Sequence, residues 1–190
     1  MGRRIGLFGG AFDPFHIGHL SVIRSVMASN IVDECWVIPT YSAPHRDMAF
    51  YPYRHRKIMA ELAVRDISGV SVSNIEAHLP QPSYTWRTLE HFKSGEPDST
   101  YFLCLGEDSL TTFHQWVRAD YILELCTLLV SERPGYDPSA VQSNILEKAI
   151  FLEHTPIEVS SSEIRRRVQN RNPDPDVLPQ AVYEYLLSSR

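Results

Sequence analysis

The chain has 190 residues, a net charge of −5, a hydrophobic fraction of 43% and a charged fraction of 22%. These values are typical of a soluble globular protein and unlike those of a disordered one. The negative charge argues against a dedicated nucleic-acid binder, and no apolar run is long enough to span a membrane or to form the core of a signal peptide. The length predicts a single domain over residues 1–190.

Apolar runs alternate with amphipathic stretches of helical length. Continuous apolar runs indicate strands buried on both faces, which is typical of a parallel sheet with helices on either side. The sequence therefore predicts an α/β, doubly wound, mostly parallel, Rossmann-like sheet with a helical C-terminal extension over about 160–190. The predicted strands are Ile5–Phe8, Cys35–Ile38, Val70–Val72, Tyr101–Leu105, Leu125–Val130 and Ala149–Leu152. The predicted helices are Gly18–Ala28, Tyr53–Ala63, Thr85–Phe92, Pro138–Lys148 and Gln180–Leu187.

The junction between the first strand and the first helix carries Gly9, Gly10, His16 and His19. Glycines at such a turn let a phosphate approach the backbone, where N–H groups and the helix dipole favour an anion. The histidines are one helical turn apart, so both can face the same phosphate. Taken separately, the glycines could form only a tight turn, and the histidines only a surface or capping pair. Two histidines are too few for zinc, and neither the dinucleotide fingerprint nor the P-loop is present.

Three cysteines bear on the compartment: Cys35, Cys104 and Cys126. Their number is odd, and their spacing matches no zinc or redox motif. Each lies in or beside an apolar run, so we expect buried free thiols. Free thiols fit a reducing environment, and we therefore expect a cytoplasmic protein.

Further helix starts carry groups that suit a ligand. Ser160–Ser162 precede Arg165 by one turn, which makes a ready anion site, although a serine there is also an ordinary N-cap. Tyr84 and Thr85 follow Pro82-Ser83 at the start of the third helix and by themselves form a turn with a cap. Asp108, just after the fourth strand, could bind a nucleotide or only cap a helix.

His16-Ile17-Gly18-His19 reads HIGH, the signature of a nucleotidyltransferase superfamily that includes class I aminoacyl-tRNA synthetases and small adenylyltransferases. The longer string Gly9–His19 resembles the bacterial nicotinate-nucleotide adenylyltransferase family, with Ala11 where that family has threonine. Five later segments resemble motifs of the same family in the same order: Pro44–Arg46, Pro82–Thr85, Gly106 to Trp116, Arg133–Gly135 and Val159–Arg165.

The resemblance implies transfer of the adenylyl group of ATP to nicotinate mononucleotide, which gives deamido-NAD and pyrophosphate in NAD synthesis. It implies His16, His19 and Arg165 as catalytic residues, and Mg²⁺ that travels with ATP rather than a metal site on the protein. The implied ATP contacts are Gly9, Gly10, Phe12, Gly106, Asp108, Arg133, Ser161 and Ser162. The implied mononucleotide contacts are Arg46, Tyr84, Thr85 and Trp116.

Two alternatives stay open at this point. The first is another small adenylyltransferase, acting on nicotinamide mononucleotide or phosphopantetheine. The second is a non-catalytic nucleotide-binding regulator on the same fold, against which the histidine pair and Arg165 argue. The expected partners are ATP and the mononucleotide, without nucleic acid or membrane, and a homo-oligomer is left open.

Overall fold

The computed structural model describes residues 2–44, 49–132 and 135–188. These residues form a six-stranded sheet with helices on both faces. The strands are β1 (Arg4–Gly10), β2 (Glu34–Pro39), β3 (Val70–Val72), β4 (Thr100–Gly106), β5 (Thr127–Glu132) and β6 (Ala149–Glu153). The helices are α1 (Ile17–Ala28), α2 (Tyr53–Val64), α3 (Thr85–Gly95), α4 (Glu107–Thr111), α5 (Ala119–Leu125), α6 (Ser143–Leu146), α7 (Ser161–Gln169) and α8 (Gln180–Ser188).

The strand order is β3-β2-β1-β4-β5-β6, and each neighbouring pair is parallel. The chain leaves β1 toward β2 on one side and leaves β4 toward β5 on the other. The order therefore reverses between β1 and β4, where ligands bind in sheets of this kind. The predicted doubly wound, Rossmann-like fold is confirmed, and the sheet is entirely parallel in the described residues.

Successive residues of a strand enter two separate cores, one on each face of the sheet. In β5, Leu128 and Val130 face one core and Leu129 the other. Burial on both faces explains why the strands are continuous apolar runs. Helices α1, α2, α7 and α8 cover the face that contains Leu129, with Ile23, Met59, Ile164 and Val182 as their buried residues. Helices α3 to α6 cover the other face.

Two predicted elements are wrong in their bounds. The stretch Pro138–Lys148 is a 3-10 turn at Pro138–Ala140 followed by the single short helix α6. Extended backbone at Val141 and Gln142 separates the two pieces, so the apolar spacing there does not mark one continuous helix. The apolar run that begins at Leu125 is also divided, because Leu125 ends α5 and β5 starts at Thr127.

The prediction for the three cysteines is confirmed. Cys35, Cys104 and Cys126 are buried and free, as expected. In the described ranges, no helix combines the length and the apolar character needed to cross a membrane.

The last helix, α8, packs on α2, where His55 Nδ1 lies 2.7 Å from the Tyr185 hydroxyl. This packing supports the proposal of a single domain over residues 1–190.

Adjacent leucines of α8 allow a direct test of its docking. Leu186 is 4% exposed in the core, whereas Leu187 is 43% exposed. We expect Leu186→Ala to lower the free energy of unfolding by about 2–5 kcal/mol, because it removes buried methyl groups and leaves a cavity. Leu187→Ala should change it by no more than about 0.5 kcal/mol. Urea unfolding of both variants measures the difference, and equal losses would show that α8 is not docked in this way.

Candidate active site

The loop after β1 combines open space with close packing. A Cβ atom on Gly9 would meet no atom within 4 Å, so this position faces open space. A Cβ on Gly10 would come within 3.0 Å of the Phe12 ring. Phe12 itself has a positive φ of 47° and is 2% exposed, with its ring against the loop and the core. Any contact of Phe12 with ATP would therefore use its backbone.

The two histidines of the HIGH motif form one stacked pair. Their ring centroids are 3.6 Å apart and their planes are inclined by 23°. The backbone N–H of His16 donates to Nδ1 of His19 over 3.2 Å. Because Nδ1 of His19 is an acceptor, the neutral ring carries its proton on Nε2, which makes Nε2 a hydrogen-bond donor. Phe12 and Phe15 contact the His19 ring with centroids 5.0 and 5.2 Å away.

Burial keeps both imidazoles neutral. It lowers the pKa of His16 to about 4. The pKa of His19 lies well below its usual value, first because of burial and second because of His16. Nδ1 of His16 faces the start of α1 without reaching hydrogen-bond geometry, so it is a buried nitrogen with no partner among the described residues. The pair can therefore offer N–H donors to an anion at neutral pH, but not full positive charges.

Gly18, between the histidines, is required by close packing. A Cβ there would lie 2.8 Å from Cγ1 of Val159 and 3.1 Å from the His16 ring. The missing side chain lets the segment before α7 approach the start of α1. Two distant parts of the chain meet at this point.

Helix α7 binds directly to the loop after β1. Arg165 donates from Nη1 to the carbonyl oxygen of Asp13 over 2.8 Å and from Nη2 to Oγ of Ser162 over 2.9 Å. The hydroxyl of Ser161 donates to the carbonyl oxygen of Pro14 over 3.4 Å. Ser160 caps the helix by accepting from the N–H of Glu163. The segment Ser160–Arg165 therefore lies beside the histidine pair, so both could contact the phosphates of one ligand.

A cavity of about 660 Å³ lies at the carboxyl edge of the sheet, next to this loop. Trp116 lines it half-buried, tilted against Phe113 with a centroid distance of 5.3 Å. Thr85, the first residue of α3, and Tyr84, which precedes it, line the same cavity. The predicted residues that share its wall are Gly9, Gly10, Tyr84, Thr85 and Trp116.

The remaining predicted residues lie outside this cavity or outside the described chain. Gly106 ends β4 and has open space where a Cβ would stand. Asp108 is exposed on α4. Neither lines the cavity. Arg46 and Arg133 fall outside the described residues, so their roles stay predictions.

Sequence reasoning missed two buried charged residues beneath the site. Arg56 is 3% exposed and donates to the carbonyl oxygens of Ala11, Thr40 and Tyr51 over 2.6, 2.8 and 3.1 Å. The sequence contains a signal for the burial of Arg56, because this residue lies on the same helical face as the apolar residues Met59 and Ala60. Glu76 is 8% exposed, and no periodic pattern marks it.

Residues 7–167 match the family model described as cytidylyltransferase-like. The chain belongs to this family. A relative from Bacillus pumilus, named "probable nicotinate-nucleotide adenylyltransferase", is 35% identical over 185 residues, with 97% of this chain and 95% of that protein covered. A relative of the same name from Flavobacterium johnsoniae is 33% identical, with 96% and 95% covered. These relatives confirm the family resemblance found in the sequence.

A solved structure shares the fold over the whole chain. Nicotinic acid mononucleotide adenylyltransferase from Plasmodium falciparum, complexed with NaAD, superposes with a TM-score of 0.81. The identity is 20%, and the match covers 98% of this chain and 96% of that one. At this identity the likeness supports the architecture alone.

Burial of His16 gives a pH dependence of stability with a definite sign. The pKa is about 4 in the folded chain and 6.5 for a free side chain, so the unfolded chain binds the extra proton between these values. The stability contributed by neutral His16 is complete above a pH of about 6.5. As the pH falls toward about 4, up to roughly 3 kcal/mol of it is lost.

His16→Gln cannot titrate at this position and isolates the effect from other groups. We expect the difference in free energy of unfolding between wild type and variant to move against the wild type as the pH falls through this range. Urea unfolding at a series of pH values measures it. Parallel curves for the two proteins would contradict the buried, neutral state of His16.

Proposed function

We propose that this site transfers the adenylyl group of ATP to nicotinate mononucleotide, giving deamido-NAD and pyrophosphate in NAD synthesis. One observation carries the proposal: a single loop, Gly9–His16, joins the anion-binding groups of α1 and α7 to the cavity lined by Tyr84, Thr85 and Trp116. A triphosphate at one end and a mononucleotide at the other would bring their phosphates together over the glycines.

The reaction needs no side-chain nucleophile, because the phosphate of the mononucleotide is already an anion. One of its oxygens attacks the α-phosphorus of ATP, and the bond from that phosphorus to the oxygen bridging to the β-phosphorus breaks. Pyrophosphate carries away the electron pair. The protein then contributes positioning and charge stabilisation. His16 and His19 would contribute as neutral hydrogen-bond donors to the phosphate oxygens.

Arg165 would bind the leaving pyrophosphate. Described residues occupy two of its N–H groups, those on Asp13 and Ser162, and a guanidinium has five. The other N–H groups are available to an anion, to which arginine binds in a fixed fork geometry. Ser161 and Ser162, at the start of α7, would add donors from the same helix end.

The pyridine end would be recognised at the start of α3. The N–H groups near Tyr84 and Thr85 belong to the N-terminus of an 11-residue helix, which favours the ring carboxylate. Trp116 offers a flat face for ring stacking. We further assign Arg46 to the mononucleotide phosphate, and Gly106, Asp108 and Arg133 to the adenosine side.

Mg²⁺ enters this proposal with ATP, whose phosphate oxygens would be its main ligands, because this ion prefers oxygen ligands. Within 2–44, 49–132 and 135–188, no three His, Cys, Asp or Glu side chains are grouped to hold a metal ion. When bound, the ion would neutralise negative charge on the phosphates. We also propose that the enzyme works in the cytoplasm, where its buried thiols stay reduced, and without a nucleic-acid partner.

Substrate preference tests the function. At equal ATP, kcat/KM for nicotinate mononucleotide should exceed that for nicotinamide mononucleotide by roughly 10–100-fold, because an amide leaves a hydrogen-bond donor of the site unmatched. Trp116→Ala should lower both values alike by removing the stacking. Pyrophosphate release measures the rates, with phosphopantetheine as a third acceptor. Equal rates with the two mononucleotides, or a preference for phosphopantetheine, would contradict the proposal.

The role of the histidines is tested by His19→Ala. We expect turnover to fall by about 10²-fold, the scale for loss of one hydrogen-bond donor to a transition state. His91→Ala, which removes an exposed histidine on α3, is the matched control and should keep full turnover. Near-normal turnover in the folded His19→Ala variant would rule out its catalytic role.

Neighbouring arginines of α7 test the assignment of Arg165. Arg165→Ala should raise KM for ATP and weaken inhibition by pyrophosphate by about tenfold or more, with less effect on KM for the mononucleotide. Arg166→Ala is the control, because Arg166 is exposed and pairs with Glu163 on its own helix. A change confined to the mononucleotide constant would show that Arg165 does not bind the triphosphate.

A further inference from the structure

Glu76 is a buried carboxylate that the proposed mechanism does not use. It lies in the 3-10 turn Ile75–Ala77, just after β3, and is 8% exposed. Burial raises the pKa of its carboxyl, and the nearby Ser83 hydroxyl, the Tyr41 N–H and the Thr88 hydroxyl oppose that rise. A buried carboxylate persists when such donors satisfy it.

The two oxygens of Glu76 join two different elements. Oε2 accepts from the backbone N–H of Tyr41, in the loop after β2, over 3.1 Å. Oε1 accepts from Oγ1 of Thr88, in the first turn of α3, over 3.4 Å. The side chain is therefore a bridge between the loop after β2 and the start of α3.

A second set of bonds reinforces the bridge. The N–H of Ser83 donates to the carbonyl oxygen of Ser42 over 2.8 Å, and the N–H of Ser42 donates to Oγ of Ser83 over 3.2 Å. Nε2 of Gln81 donates to the carbonyl oxygen of Glu76 over 2.8 Å. The segment that leads into α3 is thus bound on one side to the loop after β2 and on the other to the turn that carries Glu76.

This bridge lies in the wall of the substrate cavity. Glu76 and Thr88 line the same cavity as Tyr84 and Thr85. The N–H groups near Tyr84 and Thr85 are those assigned above to the pyridine carboxylate. A charged ligand bound by backbone donors is sensitive to their placement, since small displacements weaken oriented contacts strongly.

We propose that Glu76 is a positioning residue that sets the preference of the site for a pyridine carboxylate. It holds the loop after β2 and the start of α3 in one arrangement, and so fixes the N–H groups near Tyr84 and Thr85. The inference rests on the proposed function, because it concerns the substrate of that same site. Its effect should fall on the mononucleotide and not on ATP, whose phosphates bind at α1 and α7.

Glu76→Gln tests the proposal with a side chain of the same size. One carboxylate oxygen becomes an NH₂ group, which cannot accept from the N–H of Tyr41 and can only donate to the hydroxyl of Thr88. The negative charge and one accepted hydrogen bond are therefore lost. We expect KM for nicotinate mononucleotide to rise by about tenfold or more, the scale for one hydrogen bond to a charged group, while KM for ATP stays within about twofold. The ratio of kcat/KM for nicotinate over nicotinamide mononucleotide should fall by about tenfold.

Glu90→Gln is the matched control. It makes the same substitution on α3 and disturbs one hydrogen bond, from the hydroxyl of Tyr121 over 2.9 Å, outside the cavity. Its kinetic constants should match the wild type. If Glu76→Gln does not fold, as judged by circular dichroism and thermal melting, Thr88→Val removes one donor and should lower the same ratio by a smaller factor.

The outcomes separate this inference from the proposed function. An unchanged ratio, or equal losses for ATP and both mononucleotides, would overturn the positioning role while leaving the reaction in place. A wild-type protein that releases no pyrophosphate with either mononucleotide would overturn the proposed function, and this inference with it. A selective loss of the nicotinate preference would support both.

Discussion

The carbonyl groups of the loop after β1 need hydrogen-bond donors, and two arginines supply them for Ala11 and Asp13. Buried backbone oxygens are costly when unpaired, and this loop leaves the sheet before any helix can satisfy it. Arg56 donates to Ala11 from α2, and Arg165 donates to Asp13 from α7. The shape of the loop, and with it the placement of the glycines and histidines, depends on these contacts. Burial lowers the pKa of Arg56, but guanidinium groups stay protonated at neutral pH.

Buried carboxylates complement these arginines at the segment between β2 and α2. Glu76 accepts from the N–H of Tyr41 near its beginning, and Asp13 accepts from the N–H groups of Phe50 and Tyr51 near its end, over 2.8 and 2.9 Å. Oδ2 of Asp13 also lies 3.9 Å from Nη1 of Arg165. The groups that shape the cavity are therefore connected to those at the junction of α1 and α7.

Burial also determines how the histidines can act. An imidazole removed from water loses the stabilisation of its charged form, so His16 and His19 remain neutral in the free protein. In the proposed reaction, such groups would stabilise charge through oriented N–H dipoles, which need no reorganisation. The positive charge of the site comes instead from arginine, whose proton is not lost on burial.

The sequence by itself determined the strands, the order of the motifs and the family. Long apolar runs are strands because both of their faces are buried, and the β1–α1 junction is a local arrangement that Gly9, Gly10, His16 and His19 specify within a few residues. Local pattern failed at Pro138–Lys148, where apolar spacing fits a helix but the backbone at Val141 is extended.

Only the tertiary structure decided which distant groups meet. Arg165 and Asp13 are 152 positions apart, and no periodicity relates them. Arg56 stands out only as a charge on an apolar helix face, and Glu76 shows no pattern at all. Arg56 and Glu76 are buried because their partners come from segments that meet at the carboxyl edge of the sheet. Such pairings depend on the packing of whole elements, which acts over distances in the chain that local sequence does not encode.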